Sequence, residues 1–383
     1  MKTNKIRLGE QCVVTSSKRF HLSERITQGV PFYCSKEIIK KFNGEDVTEC
    51  DYISEDLYKK VSNEFGVPKE NDLLITTRGT IGIPYLYKRT DRFYFADGNL
   101  TWIKDFDSNL YSKFLYYWFQ SYEGRKKFEA LAKGTAQKAV PISGIKTLEI
   151  ELPPLKSQKR IADILSAYDD LIENNQKQIK LLEEAAQRLY KEWFVNLRFP
   201  GHENTKIVDG VPEGWSKTNI NEILTFHRGY DLTKNEMKAG RYPVVGSTTV
   251  IGYHNEFKIN GPGIVTGRSG SLGKYQFIWD NFWPHNTSLY ISDYKDHNIF
   301  FVYSLLQTVD FASLNNGGAI PTLNRNVLSN IEVIEPEKKL QDVFAKIAEP
   351  QYQKIRNLEK QNDRLKTARD LLLPKLMSGE VEV

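Results

Sequence analysis

The sequence predicts an α+β chain made of two similar halves, each a globular unit followed by a long helix. Three observations support this prediction. First, 383 residues are enough to bury more than one hydrophobic core. Second, motifs of the first half return in the same order in the second half. Third, each half leads into a segment whose apolar residues have the spacing of a long helix.

The composition is that of a folded protein without membrane segments. Hydrophobic residues make up 40% and charged residues 26% of the chain, close to the averages of globular domains. The net charge of +5 permits binding to a polyanion without requiring it. No apolar run approaches the roughly 18 residues of a membrane helix, and the first residues lack a signal-peptide pattern. We therefore expect a cytoplasmic protein with no membrane partner.

The cysteines and histidines form no recognisable disulfide or metal pattern. Cys12, Cys34 and Cys50 are odd in number and widely spaced, so we expect reduced thiols. None of the six histidines pairs with another at a ligand spacing. We therefore expect no metal site.

The first globular unit is expected over residues 1–153, with short strands and interspersed helices. Asn71–Gly82 is an apolar, strand-like run that ends in an Arg-Gly turn. The aromatic segment Ser112–Phe119 is expected to form a helix. A last strand at Leu148–Leu152 meets two prolines, which end it and lead into the next element.

The central segment, residues 154–198, carries the strongest periodic signal of the chain. Its seam residues alternate in steps of four and three over more than four heptads, which is typical of a coiled-coil helix. Asn175 is an amide in this seam, and buried amides at such positions fix the register of paired helices. The seam consists of Ile161, Leu165, Tyr168, Ile172, Asn175, Ile179, Leu182, Ala186, Leu189 and Trp193.

The second globular unit is expected over residues 199–336, after a turn-rich linker. Gly263–Lys274 repeats the strand and glycine turn of the first half, and places Arg268 190 positions after Arg78. Asn298–Thr308 is a predicted helix, like the aromatic helix of the first half. Ile331–Gln341 corresponds to Leu148–Gln158 at an offset of 183, so both halves end a strand at proline and begin a helix.

The distal segment, residues 337–383, repeats the heptad seam more loosely. Pro350 is expected to kink or restart this helix, because proline removes a backbone donor. Pro374 is expected near its end, with Gly379 just beyond. We expect Asn175 to face Gln361 in an antiparallel pair of helices; the alternative is that either amide is exposed to solvent. The distal seam consists of Leu358, Gln361, Leu365, Ala368 and Leu372.

Five segments carry the most specific motifs of the chain: Leu152–Ala162, Tyr190–Phe194, Phe199–Gly201, Val211–Trp215 and Leu371–Gly379. Together with the repeat, they resemble the specificity subunit of type I restriction-modification systems. The resemblance covers nearly the whole chain, although the doubled proline of the central helix start is lost at Glu335–Lys339. It implies that each globular unit is a target recognition domain reading one half of a split site on double-stranded DNA. It also implies an internal pseudo-two-fold repeat, in which two long antiparallel helices separate the recognition domains.

The same resemblance implies partners that carry the chemistry. The helices would dock two methyltransferase (M) subunits and, through them, restriction (R) subunits. S-adenosylmethionine, ATP and Mg²⁺ are expected on those partners, not on this chain. The sequence agrees, because it lacks the Asn/Asp-Pro-Pro-aromatic tetrad of adenine methyltransferases. In Gly267–Lys274, the two glycines are one residue further apart than in the phosphate-binding loop motif. Tyr275 stands where that motif has serine or threonine.

Candidate DNA-binding residues follow from the repeat and from basic loops. Arg78 and Arg268 are the first choice, because a guanidinium can bind O6 and N7 of guanine together. The alternative is that each arginine braces its own turn through hydrogen bonds to carbonyls. The other candidates are loop residues suited to phosphates or base edges. They are Lys18, Arg19, Thr77, Lys88, Arg89, Lys133, Gln137, Lys138, Arg228, Tyr230, Ser269, Lys274, Asn324 and Arg325.

Three other functions stay open on the sequence alone. The chain could be a specificity subunit whose partner combines methyltransferase and nuclease in one polypeptide. It could instead be a structural coiled-coil adaptor whose globular ends bind proteins. An enzyme that acts alone is the third possibility. The Arg-Gly turns and basic loops favour DNA recognition over the adaptor.

Overall fold

The computed structural model describes residues 3–134, 138–268, 273–309 and 331–383. It divides into two compact units. Unit 1 comprises Met1–Asn175 and Lys360–Val383, and unit 2 comprises Gln176–Glu359. Four candidate DNA-binding residues lie outside the described residues: Gln137, Ser269, Asn324 and Arg325.

Within its described residues, unit 1 has nine strands, five short α-helices, the first part of one long helix and the last part of another. The strands are β1 (Asn4–Arg7), β2 (Val13–Thr15), β3 (Val30–Tyr33), β4 (Asp51–Ile53), β5 (Leu73–Thr76), β6 (Pro84–Leu86), β7 (Tyr94–Phe95), β8 (Leu100–Lys104) and β9 (Glu149–Leu152). The helices are α1 (Ser35–Phe42), α2 (Glu55–Glu64), α3 (Ser112–Gln120), α4 (Tyr122–Glu129), α5 (Ile142–Lys146) and the first half of α6 (Leu155–Tyr190). The predicted strand before Arg78 and the predicted aromatic helix are confirmed as β5 and α3.

Three small sheets organise unit 1. A four-stranded sheet has the order β2-β8-β5-β6, and a three-stranded sheet has the order β4-β3-β7. The first and last strands, β1 and β9, pair with each other. Buried residues of β5 pack with Phe114 and Leu115 of α3 and with Leu165 of α6. Leu373 and Leu376, near the C-terminus, belong to the same core, so unit 1 is completed by the last part of the chain.

Unit 2 contains the elements, or parts of elements, that lie within Gln176–Glu359. Its strands are β10 (Ile207–Val208), β11 (Val211–Pro212), β12 (Ser216–Asn219), β13 (Thr225–Arg228), β14 (Tyr242–Val245), β15 (Val250–His254), β16 (Gly263–Gly267), β17 (Tyr275–Ile278), β18 (Trp283–Pro284), β19 (Ser288–Asp293) and β20 (Glu332–Glu335). Its helices are α7 (Ile220–Ile223), α8 (Ile299–Leu306), the second half of α6 and the first half of α9 (Lys338–Ser378). A π-helical turn, Lys191–Val195, follows α6.

The sheets of unit 2 repeat those of unit 1. The four-stranded sheet has the order β13-β19-β16-β17, the three-stranded sheet has the order β15-β14-β18, and β12 pairs with β20. The register repeats as well, because Thr76 lies opposite Leu100 and Thr266 lies opposite Leu289. The predicted α+β repeat is therefore present in the strand order and in the register.

Both long helices begin with the same glutamine contact. Gln158 and Gln341 are each 1% exposed. The Nε2 of Gln158 donates to the carbonyl oxygen of Pro153 at 2.9 Å, and that of Gln341 donates to Pro336 at 3.0 Å. Each glutamine thus satisfies a buried carbonyl where the chain turns from strand to helix. The motif match at an offset of 183 reflects this shared helix start.

The expected restart of the distal helix at Pro350 is wrong. Helix α9 runs without a break from Lys338 to Ser378 and includes both Pro350 and Pro374. Pro350 is exposed, so solvent can satisfy the carbonyl that its missing N–H leaves without a partner. Buried residues on either side, Ala348 and Tyr352, stabilise the helix across this position. Gly379 follows the helix with φ +74°, as its predicted place just beyond the end requires.

Within unit 1, α6 and α9 run antiparallel beside each other. Asp169 accepts a hydrogen bond from Arg369 at 2.5 Å, and further along α6, Asn175 donates to Asn362 at 2.9 Å. The residue number rises along α6 while it falls along α9, which defines the antiparallel direction. Tyr117 of α3 donates to the same Asp169 at 2.6 Å and ties the helix pair to the globular core.

The predicted contact between Asn175 and Gln361 is present, with Nδ2 of Asn175 3.2 Å from Oε1 of Gln361. Gln361 takes the alternative outcome, because its side chain is exposed. Asn362 is the buried amide of α9 at 5% exposure, and Asn175 is 4% exposed. The other predicted seam residues beyond Leu358, which are Leu365, Ala368 and Leu372, are half-buried, so the departure from the predicted seam is local to the amide.

The three cysteines are free thiols, as expected. Cys12 is buried, and loss of hydration raises the pKa of its thiol to about 12. Across the described ranges, no three His, Cys, Asp or Glu side chains are grouped as a metal site would require. No helix within those ranges has the length and apolar character needed to cross a bilayer.

Candidate nucleic-acid interface

A cleft of about 440 Å³ lies at one edge of the four-stranded sheet of unit 1. Three of the predicted DNA-binding residues, Thr77, Arg78 and Lys133, line it. They come from the segment after β5 and from the segment before α5, which the fold brings together. The remaining lining residues are Ser16, Asp97, Gly98, Leu100, Thr101, Ala139, Val140, Pro141 and Ile142.

Backbone hydrogen bonds fix the position of Arg78 in this cleft. The N–H of Thr77 donates to Asn99 at 2.9 Å, and the carbonyl of Thr77 accepts from Val140 at 2.9 Å. Arg78 itself forms an isolated bridge with Ala139. Gly79 follows with φ +74°, a left-handed conformation that glycine adopts without strain and that turns the chain away from the cleft.

The Arg78 side chain is exposed. Within the described parts of the chain, its guanidinium forms no hydrogen bond or ion pair. The alternative that Arg78 braces its own turn through its side chain therefore finds no contact to support it. Its donors are available to a ligand while its backbone is held on both sides.

Other charges lie around the same cleft. Arg19 donates to the carboxylate of Asp97 at 2.9 Å, so its guanidinium lies beside a lining residue. Lys138 is exposed and directly precedes the lining residue Ala139. Lys18 lies nearby along the chain, with its ammonium 5.0 Å from the ring centre of Phe65. Basic groups therefore predominate around the cleft, with Asp97 as the single acidic residue of its lining.

The equivalent edge of the unit 2 sheet carries two of the other candidates. Strand β13 ends at Arg228 opposite Leu289, and β16 ends at Gly267 opposite Ser288, so both strands end at the same edge. Arg268 follows β16 directly, and its N–H donates to Thr287 at 3.1 Å. Its side chain is half-buried and has no hydrogen bond or ion pair to another described residue. Bracing of this turn by the Arg268 side chain therefore also lacks a contact.

Tyr230 follows the same edge and belongs to an aromatic cluster. Its hydroxyl lies 3.0 Å from that of Tyr290, and its ring centre lies 6.3 Å from that of Trp283. The ammonium of Lys258 lies 5.8 Å from the Tyr230 ring centre and 4.7 Å from that of Trp283. Tyr230 is therefore partly a packing residue, and Lys258 adds a cation that the sequence did not single out. The sequence signal for Lys258 is weak because Trp283, its main contact, lies 25 positions away.

Two candidate loops occupy equivalent places in the two sheets. Register pairs Thr15 with Trp102 and Phe226 with Ile291, so the segments after β2 and β13 correspond. These segments contain Lys18 and Arg19 in unit 1 and Tyr230 in unit 2, where Arg228 is the last residue of β13 itself. The two segments are not separated by the 190 positions that separate Arg78 and Arg268. Comparing the halves of the sequence at a single offset therefore does not reveal that the segments correspond.

The remaining described candidates lie away from these edges or at their margin. Lys88 forms an ion pair with Glu173 of α6, and neither it nor the exposed Arg89 lines the unit 1 cleft. Lys274 is exposed at the start of β17, and its carbonyl accepts from Thr266 at 3.0 Å. Arg228 lies 4.0 Å from Asp231, a long contact for an exposed ion pair.

Comparison with known proteins identifies relatives of the whole arrangement. The family model described as "Type I restriction modification DNA specificity domain" matches residues 3–184 and 212–367. The MjaIX type I restriction enzyme specificity subunit of Methanocaldococcus jannaschii is 27% identical over 302 residues, which cover 71% of this chain and 69% of that protein. A putative type I restriction enzyme specificity subunit of Haemophilus influenzae is 29% identical over 187 residues, which cover 49% of this chain and only 45% of the relative.

A solved structure supports the fold. The crystal structure of a type I restriction-modification S subunit from M. genitalium matches with a TM-score of 0.63, covering 98% of this chain and 96% of that one. Its sequence identity is 20%, so this likeness concerns the fold alone. The family model, in contrast, matches each half of the sequence and covers most of the chain. The chain therefore belongs to the family of type I restriction modification DNA specificity domains.

Proposed function

We propose that this chain is the non-catalytic DNA-recognition subunit of a type I restriction-modification complex and reads a bipartite site. One observation supports the proposal independently of family membership. Arg78 and Arg268 end equivalent strands, at equivalent edges of two equivalent sheets, and both guanidinium groups lack partners among the described residues. Two such edges in one chain suit the reading of two half-sites.

The groups at these edges can divide the tasks of positioning and reading. Lys133 and Lys138 are suited to phosphates, which supply sequence-independent affinity. Arg78 and Arg268 are suited to guanine, where a bidentate contact discriminates between bases by about 1–3 kcal/mol. Asp97 orients Arg19 and can itself accept from the N4 amino group of cytosine.

The two long helices are proposed to separate the recognition units and to dock two methyltransferase subunits, which in turn bring restriction subunits. An α-helix of 36 residues, the length of α6, measures about 54 Å and exceeds one DNA turn of about 34 Å. S-adenosylmethionine, ATP and Mg²⁺ are assigned to those partners.

The test is to co-express the chain with its methyltransferase subunit and to map the methylated adenines. We expect a split motif with a fixed gap. A contiguous motif would contradict the proposal. Steeply salt-dependent binding of duplex DNA by the complex would exclude a purely structural adaptor, because release of counterions from phosphates produces that dependence.

A further inference from the structure

A second cavity, of about 320 Å³, lies in unit 2 and is not part of the DNA-facing edge. It is bounded by the unit 2 parts of both long helices, by the edge strand β17 and by α8. Its volume is within the range of pockets that hold small ligands or single side chains. The lining residues that matter here are Glu183, Phe277, Trp279, Tyr303, Tyr352 and Glu359.

Aromatic rings form much of the cavity wall. The ring centre of Phe277 lies 4.7 Å from that of Trp279 and 5.2 Å from that of Tyr303. Tyr303 and Tyr352 meet nearly edge to face, with centres 5.4 Å apart. Such rings present negative faces, which attract lysine and arginine side chains.

One ring of this wall already contacts a guanidinium. The Cζ of Arg356 lies 5.2 Å from the ring centre of Trp279, and Arg356 donates to Asp280 at 2.6 Å. The combination of ring face and carboxylate that binds Arg356 recurs in the lining of the cavity, where the exposed carboxylate of Glu183 accompanies Tyr303 and Tyr352. The chain therefore already binds one arginine side chain between an aromatic ring and a carboxylate, and a second arginine would suit the cavity for the same reason.

Glu183 provides the charge that an incoming cation would meet. It forms no hydrogen bond or ion pair with another residue of the described ranges. The side chain of Glu183 is exposed, but the protein around it removes part of its hydration and raises the pKa of its carboxyl, and the charge of Glu184 adds to that effect. Glu359 lines the same cavity from α9. Carboxylates beside ring faces repel phosphates, so this site does not suit DNA.

We propose that this cavity receives an arginine or lysine side chain of the methyltransferase subunit. The inference rests on the proposed function, which assigns docking of that subunit to the two long helices, and it names one contact of that interface. Glu183 is the anionic partner, and Phe277, Tyr303 and Tyr352 provide the aromatic wall. Desolvated charge pairs at interfaces lose affinity when one partner is neutralised.

The principal test measures binding of the full-length chain to its purified methyltransferase subunit by titration calorimetry. Glu183→Gln removes the charge with little change of shape and should weaken binding by about tenfold or more. Glu183→Lys places a cation in the cavity itself and should weaken binding further. Glu184→Gln is the matched control, because Glu184 is exposed on the next position and does not line the cavity, and it should bind within about twofold of the wild type.

A second measurement uses the unchanged chain and so does not depend on the folding of a variant. N-acetylarginine amide should shift the NMR signal of the Trp279 indole N–H, whereas the neutral isostere N-acetylcitrulline amide should not. Equal shifts with both probes, or a shift with neither, would overturn the proposal. Wild-type affinity in the Glu183→Lys variant would also overturn it.

Failure of this inference can be told apart from failure of the proposed function. If the wild-type chain binds the methyltransferase subunit and the complex methylates a split site, the proposed function stands whatever the Glu183 variants do. If the wild-type chain binds no methyltransferase subunit, both the proposed function and this inference fail.

Discussion

At the residue scale, Arg78 could contribute to DNA binding either by reading a base or by contacting a phosphate. Its backbone is held by contacts on both sides, while its side chain is exposed. We predict that Arg78→Ala degrades recognition of one half-site and that Arg268→Ala degrades recognition of the other. Each should cost about 1–3 kcal/mol at a single base position, measured by binding of the complex to sites with single base changes.

Arg89→Ala is the control for these substitutions, because Arg89 is exposed but does not line the cleft. It should leave the base preference of both half-sites unchanged. Equal loss of affinity on all DNA sequences would identify Arg78 or Arg268 as a phosphate contact. Loss of the folded state on Arg78→Ala would reinstate the bracing alternative.

A second residue-scale prediction concerns the buried amides of the helix pair. Asn175→Ala removes the donor to Asn362 and leaves the Asn362 carbonyl oxygen buried without that bond. An unsatisfied buried polar group costs about 1–3 kcal/mol, so the free energy of unfolding should fall by that amount. Urea denaturation measures it. Asn174→Ala, at the exposed neighbouring position, should change stability far less.

The converse double variant tests the same pair. Asn175→Leu with Asn362→Leu removes both amides and should recover much of the stability lost in the single variant, because no polar group is left unpaired. Additive losses in the double variant would show that the amides contribute separately.

At the element scale, the length of α6 and α9 should determine the unread gap of the methylated motif, which can be measured. Inserting seven residues after Lys177 in α6 and seven after Lys360 in α9 adds one heptad to each helix and keeps the seam in phase. The added length is about 10 Å, close to three base-pair steps of about 3.4 Å. The unread gap of the methylated motif should therefore lengthen by three base pairs.

An insertion in α6 alone is the control for the paired insertion. It leaves the facing residues of the two helices out of register and should reduce methylation, because contacts such as Asp169 with Arg369 cannot all form. An unchanged gap in the paired variant would show that the helices do not set the spacing.

Much of the fold could be predicted because its signals are local or strictly repeated. Seam residues that recur in alternating steps of four and three predicted the long helix α6. Three of them, Ile161, Leu165 and Ile172, are indeed buried. Local reasoning failed at Pro350, where the cost of a missing N–H is offset by packing that the sequence does not display. Heptad spacing could not tell Gln361 from the buried Asn362, because which of two neighbouring amides is buried depends on how both helices pack.

The candidate site was predictable only in part, for a related reason. Arg78 could be predicted because it follows a recognisable strand and precedes a glycine. Thr77 and Lys133 could be predicted because they lie in polar or basic loops. Asp97 was missed, since its contact with Arg19 joins residues 78 positions apart. The cavity beside Glu183 was also missed, because Glu183 is an exposed helix residue and nothing nearby in the sequence reveals the aromatic residues that line the cavity with it.

At the scale of the whole molecule, the repeat predicts the behaviour of half a chain. A fragment of residues 1–200 lacks Leu373 and Leu376, which complete the core of unit 1. It retains the second half of α6, which corresponds in the repeat to the missing part of α9. We expect two fragments to exchange these helix halves and form a two-fold dimer, as apolar faces left uncovered favour association.

Light scattering measures the mass of this fragment, and methylation mapping measures its site. With methyltransferase subunits, the dimer should methylate an inverted repeat of one half-site, since the symmetry of the site mirrors that of the protein. Tyr190→Asp within the fragment should weaken the dimer by placing a charge on the exchanged helix face. A soluble monomeric fragment, or a non-palindromic site, would refute the equivalence of the halves.

The division of unit 1 between Met1–Asn175 and Lys360–Val383 also sets the order of events during synthesis. At about 5–20 residues per second, the ribosome needs about 10–40 s to produce the chain that follows Asn175. Throughout that interval the first recognition unit lacks the helix that carries Leu373 and Leu376, and its core stays open on that side. Unit 2 can close as soon as Glu359 has left the exit tunnel, so the unit that is translated first is completed last. The nascent chain is therefore most prone to aggregation, and most dependent on chaperones, through its N-terminal half.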